Sequence, residues 1–104
     1  MGRACDDSAM PVPDASLSLQ QRRVRKMRRD AVGAAIRRAR EAAGWTQDEL
    51  ATASGVSRPV IARIELGTAG VQIDRLWDLA EALSTTPSAL LADAEAHMPP
   101  VDEN

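Results

Sequence analysis

The stretch TQDELATASGVSRPVIARIELG, residues 46–67, decides the fold, because two helices start and stop inside it on local chemistry alone. Thr46 is a good N-cap, and Glu49, three residues on, completes a capping box. Trp45 ahead of the cap and Leu50 at the fourth helical position have the spacing of a hydrophobic staple. The helix meets turn chemistry at Ser54-Gly55 and must end there. The second helix begins as clearly. Ser57 is placed to cap it, Val56 and Ile61 make a second staple, and Pro59 falls in the first turn, where its missing N–H costs little. Ile61 and Ile64 point inward and Gly67 closes the helix. Two helices this short, joined by a Gly-containing turn, cross steeply rather than lie antiparallel.

Upstream, LSLQQRRVRKMRRDAVGAAIRRAREAAG, residues 17–44, holds good helix formers and no Pro. Val24, Met27, Ala31 and Ala35 form one apolar stripe, and Val32, Ile36, Ala39 and Ala43 a neighbouring one roughly 100° away. A continuous helix is compatible with both but would bury two faces. Gly33 stands at the join and costs about 1 kcal/mol relative to Ala. The expectation is therefore a secure helix over residues 31–43, ended by Gly44 in the left-handed region, and preceded by a less stable basic helical arm, residues 17–30. Six residues of the arm are basic: Arg22, Arg23, Arg25, Lys26, Arg28 and Arg29. Such a run releases counterions from DNA phosphates, or else it is a solvated face or a docking surface for an acidic protein.

Downstream, IDRLWDLAEAL from Ile73 predicts a helix with a wide apolar face of Ile73, Leu76, Trp77, Leu79, Ala80 and Leu83. Gln72 is an indifferent N-cap, but Asp74 suits the helix dipole. Thr86 and Pro87 cap and open a short last helix that ends near Ala92 or Ala94. Trp77, Leu90 and Leu91 are expected in the core, with an interface as their other use. Residues 1–16 have no apolar period, and residues 95–104 are broken by Pro99-Pro100, so both read as disordered tails around a domain at residues 31–94.

Composition agrees with an all-α domain. The 104 residues include two Trp and no Phe or Tyr, so the core is aliphatic and rich in strong helix formers. The net charge of −2 conceals a split. Residues 22–63 carry eleven Lys/Arg against four Asp/Glu, whereas residues 64–104 carry one Arg against eight acids. It is the local field that steers a polyanion. One Cys and one His, Cys5 and His97, both fall in the expected tails, so neither a catalytic constellation nor a metal site can be assembled, and no cofactor is implied. No apolar run reaches the roughly 18 to 20 residues that span a bilayer, and no signal peptide is evident. A cytoplasmic protein that is not an enzyme and has no membrane partner is expected.

Residues 36–91 resemble the lambda-repressor-like, Cro-type (XRE-like) helix-turn-helix family. The matching residues are Gln47, Leu50, Ala51, Gly55, Val56, Ser57, Arg58, Ile61, Ile64, Glu65 and Gly67. Ser54 and Ser84 depart from the pattern, since the family more often has an apolar residue at the first and a helix-ending Gly at the second. The resemblance implies a compact five-helix domain, here with a basic N-terminal arm, whose second motif helix, residues 57–66, enters the major groove of double-stranded DNA. By that carry-over Arg58, Pro59, Ala62 and Arg63 face base edges, with Val60 flanking. An arginine bonds guanine O6 and N7 together, while Pro59 and Ala62 offer only apolar contact, for example to a thymine methyl. Gln47, Ser57 and Thr68 are the implied phosphate contacts, the first two at helix N-termini.

Two functions follow. One is a sequence-specific transcriptional regulator that binds a two-fold symmetric site as a homodimer, since so small a domain needs two half-sites for useful specificity. The other is an antitoxin or adaptor with a protein partner, in which DNA binding serves autoregulation.

Overall fold

The structure, a computed structural model, describes residues 17–99. Among them are five helices and no strand: α1 (Leu19–Ala42), α2 (Gln47–Ser54), α3 (Arg58–Leu66), α4 (Ile73–Ala82) and α5 (Pro87–His97). The expected tail over residues 1–16, and residues 100–104 of the expected C-terminal tail, lie outside the described residues.

Helix α1 is one uninterrupted element of 24 residues that crosses the expected join. It starts on a capping box: Gln21 N–H donates to Ser18 Oγ at 3.1 Å, and Ser18 N–H donates to Gln21 Oε1 at 2.9 Å. Both stripes are used, because α1 packs on α3 and on α5 and buries Ala35 and Ile36 between them. Gly33 is a requirement of that packing and not a weak point. A Cβ there would run into the carbonyl oxygen of Ile64 and lie 3.0 Å from that of Glu65, so only glycine lets the two helices approach this closely.

The core is a single aliphatic cluster. Ile36, Leu50, Ile61, Ile64 and Leu79 are fully buried, with Val56, Leu76, Ala80 and Leu90 completing it and Trp45, Val32 and Ala39 packed against its edge. Helix α4 supplies fewer of these residues than its apolar face predicts. Ile73 is 61% and Trp77 53% exposed, because the cover from α2 and α5 ends at Leu76, Leu79 and Ala80. Leu90 is buried as expected, whereas Leu91, next along α5, is exposed.

Local chemistry sets the last turns. Ser84, in place of the helix-ending glycine, takes the left-handed region at φ 58, and the N–H of Thr85 returns to Ala80 O at 2.9 Å. Thr86 Oγ1 accepts from Ala89 N–H at 3.1 Å and Pro87 opens α5. Helix α5 runs past Ala94 to His97, held to α1 by Arg38, whose Nε and Nη2 donate to Asp93 Oδ2 at 3.0 and 2.8 Å.

Candidate nucleic-acid interface

Helix α2 is capped by reciprocal bonds between Thr46 and Glu49: the Glu49 N–H donates to Thr46 Oγ1 at 3.1 Å, and the Thr46 N–H to Glu49 Oε1 at 2.8 Å. It ends at Gly55, whose φ of 79 makes the turn possible. Ser54, the departure from the family pattern, has a local use, since its hydroxyl accepts the Val56 N–H at 3.1 Å. Val56 is thereby turned into the core. Helix α3 then starts at Arg58 without the expected side-chain cap: Ser57 occupies the N-cap position but its hydroxyl makes no capping bond. Pro59 supplies the N-terminal preference instead. Gly67, at φ 76, terminates α3 by donating to Arg63 O and Ile64 O.

The angle of α3 on the rest of the domain is held by a buried polar network that periodicity did not reveal. Arg40 of α1 grips Glu65 with Nε on Oε2 at 2.8 Å and Nη2 on Oε1 at 3.0 Å, and its Nη1 donates to Trp45 O at 2.7 Å. Gln47 Nε2 adds a bond to Glu65 Oε1 at 3.0 Å. The Glu65 side chain is only 4% exposed. The bond to Glu65 and the charges of Glu65 and Glu41 raise the Arg40 pKa above its ordinary value, against the opposing effect of burial. One network thus ties together α1, the start of α2 and the end of α3. Gln47, an expected phosphate ligand, sits inside it through its amide nitrogen, while the first N–H groups of α2 are left without intrahelical acceptors.

The outward side of α3 collects the expected base-reading residues. Arg58, Pro59 and Arg63 are exposed and Ala62 is half-buried. Leu66 belongs to the same face, at i+7 from Pro59, and is 68% exposed. Sequence reasoning passed over it, although its spacing from Pro59 and Ala62 was the available signal. Ser57 is exposed at the N-terminal end of this face. Thr68 lies at the other end, where its hydroxyl donates to Arg63 O at 3.2 Å and so serves as part of the C-terminal cap.

The basic arm is rooted at that same end. Arg29 Nε donates to Gly67 O at 3.1 Å, placing a cation at the negative end of the α3 dipole. Lys26 pairs with Asp30 one turn away, and Arg22 Nη1 donates to Leu17 O at 2.8 Å. Arg23, Arg25 and Arg28 are exposed along the arm.

Two helices crossing through a glycine turn, the second with an exposed polar and basic face, make the motif that residues 46–67 predict, and a helix-turn-helix family model matches residues 36–90. The chain belongs to the helix-turn-helix family. It is of the lambda-repressor-like, XRE-like type, and its members are DNA-binding regulators of transcription. Two solved structures of the clp gene regulator ClgR from Corynebacterium glutamicum are similar to this helix-turn-helix chain at 35% sequence identity and a TM-score of 0.66. The likeness covers 68% of this chain and 76% of one ClgR chain, and 69% of this chain and 94% of the other. No curated protein sequence matches it. No helix among the described residues is long and apolar enough to cross a membrane.

Proposed function

We propose that this helix-turn-helix protein is a sequence-specific regulator that binds a two-fold symmetric DNA site as a dimer, with α3 in the major groove. The observation that carries the reading is the exposed face of α3, set rigidly against α1 and α2 by the Arg40–Glu65–Gln47 network. On it Arg58 and Arg63 are the hydrogen-bonding base readers, and Pro59 and Ala62 the apolar ones. Ser57 and Gln47 approach the phosphates at helix N-termini, with Thr68 at the far end of α3. Arg22, Arg23, Arg25, Lys26, Arg28 and Arg29 extend the phosphate contacts beyond the domain.

A protein contact is supported separately by Ile73 and Trp77, one turn apart on α4 and left uncovered. In the regulator reading this pair serves the second subunit. In an antitoxin or adaptor it would serve a foreign partner. Selection of bound sequences from random DNA, with sedimentation of the free protein, tests the regulator reading. A regulator of this kind enriches an inverted repeat and sediments as a dimer. Absence of any enriched sequence overturns the proposal. The likeness to a clp gene regulator makes clp promoters the first natural DNA to test.

A further inference from the structure

Among the acids of the motif, only Asp48 pairs with a proposed base-reading residue. Glu65 is buried and held by Arg40 and Gln47, and Glu49 is spent on the Thr46 cap. Asp48 is different. It projects from the first turn of α2, its side chain 78% exposed, and its Oδ1 lies 3.3 Å from Arg58 Nε at the first position of α3. The pair joins the N-termini of the two motif helices across the turn. The shortest contact is made by Nε, and no hydrogen bond among the described residues holds either Nη group of Arg58, so both stay available as the donors that match guanine O6 and N7.

We infer that Asp48 is a specificity-determining positioning residue, which tethers Arg58 by Nε so that its guanidinium fork is presented to a guanine and withheld from phosphates. This rests on the DNA-binding reading above. An exposed pair of this kind is weak, so it biases the Arg58 rotamer without locking it. Two effects follow from one carboxylate. On any duplex, Asp48 opposes approach to the backbone, and it denies the nonspecific complex one arginine–phosphate contact. At the correct site that arginine is engaged with a base edge, so little is lost. Discrimination widens by penalising the wrong complexes, the negative side of specificity.

The test measures binding of the full chain to its selected site and to a scrambled duplex over 50 to 200 mM salt, for the wild type, Asp48→Asn, Arg58→Ala and the double variant. Asp74→Asn, which removes the same charge from the first turn of α4, is the control for net charge. In Asp48→Asn the scrambled duplex is expected to bind more tightly. Its log–log salt slope is expected to steepen by about 0.9, one added phosphate contact, equivalent to an additional salt sensitivity of about threefold over that range. The slope on the selected site stays the same, so the ratio of specific to nonspecific affinity falls. In the double variant the steepening vanishes, because the arginine it requires is gone. An unchanged slope in Asp48→Asn, an equal shift on both duplexes, or the same behaviour in Asp74→Asn overturns the tether. If Arg58→Ala itself leaves sequence preference unchanged, the base-reading role of Arg58 fails instead, and the two failures are told apart.

Discussion

Replacing Gly33 by alanine sets two physical effects against each other. Within an isolated helix the change is favourable by about 1 kcal/mol, because alanine gives up less backbone entropy. In this protein the new methyl would meet the Ile64 carbonyl and lie 3.0 Å from the Glu65 carbonyl oxygen, both backbone atoms of α3. No side-chain rotation relieves that contact, so α1 and α3 have to separate. Overpacking of this sort costs about 1 to 3 kcal/mol, and a backbone obstacle places the change at the upper end. Separation also stretches the Arg40–Glu65 bonds further along the same pair of helices. The net expectation is a destabilisation of about 2 kcal/mol, or a fall in Tm of roughly 8 to 16 °C for a domain near this size. Urea and thermal unfolding followed by circular dichroism measure it. A Gly33→Ala protein as stable as the wild type, or more so, refutes the close approach of α1 to α3 and returns Gly33 to the role of a weak joint.

Other substitutions probe the remaining features. Arg40→Met leaves the Glu65 carboxylate buried with only Gln47 as partner and is expected to cost about 3 to 5 kcal/mol in a urea melt; a cost under 1 kcal/mol means that Glu65 finds solvent. Ser84→Gly relieves a left-handed non-glycine residue and should stabilise the fold by about 0.5 to 1 kcal/mol after the larger entropy of the unfolded chain is deducted; destabilisation contradicts the observed turn. Arg23→Gln with Arg28→Gln removes two exposed arm cations, and if the arm follows the DNA backbone the salt slope flattens by about 0.9 for each lost phosphate contact. An unchanged slope assigns the arm to another partner.

How much of this was readable in advance follows from the range of each interaction. The Thr46–Glu49 box, the left-handed Gly44, Gly55 and Gly67, and the Thr86-Pro87 start of α5 are decided within four residues of chain, and all are found where the sequence puts them. The Ser18–Gln21 box that starts α1 is equally local. Ser57 shows the limit of such reasoning, because a capping residue at the right position need not use its side chain once Pro59 already favours the helix start. Facts that depend on a partner element were not visible. Gly33 reads as a defect until α3 lies across it, and the Arg40–Glu65 pair spans 25 residues with no periodic mark beyond a charge on an otherwise inward-facing side. Ile73 and Trp77 belong to a wide apolar face, but how far α2 and α5 reach over that face is a matter of packing. The roles of Arg58, Pro59, Ala62 and Arg63 come from the family resemblance, and the structure adds that Arg58, Pro59 and Arg63 are exposed and Ala62 half-buried on one side of α3.

The central claim is that α3 reads bases through Arg58, and the most direct measurement is the affinity of wild type and Arg58→Ala for the selected site and for every single-base variant of it. A bidentate contact to guanine predicts that the alanine protein loses discrimination at one guanine in each half-site, by about 1 to 3 kcal/mol, and keeps its preferences elsewhere. An alanine protein with the wild-type pattern at every position would contradict the account.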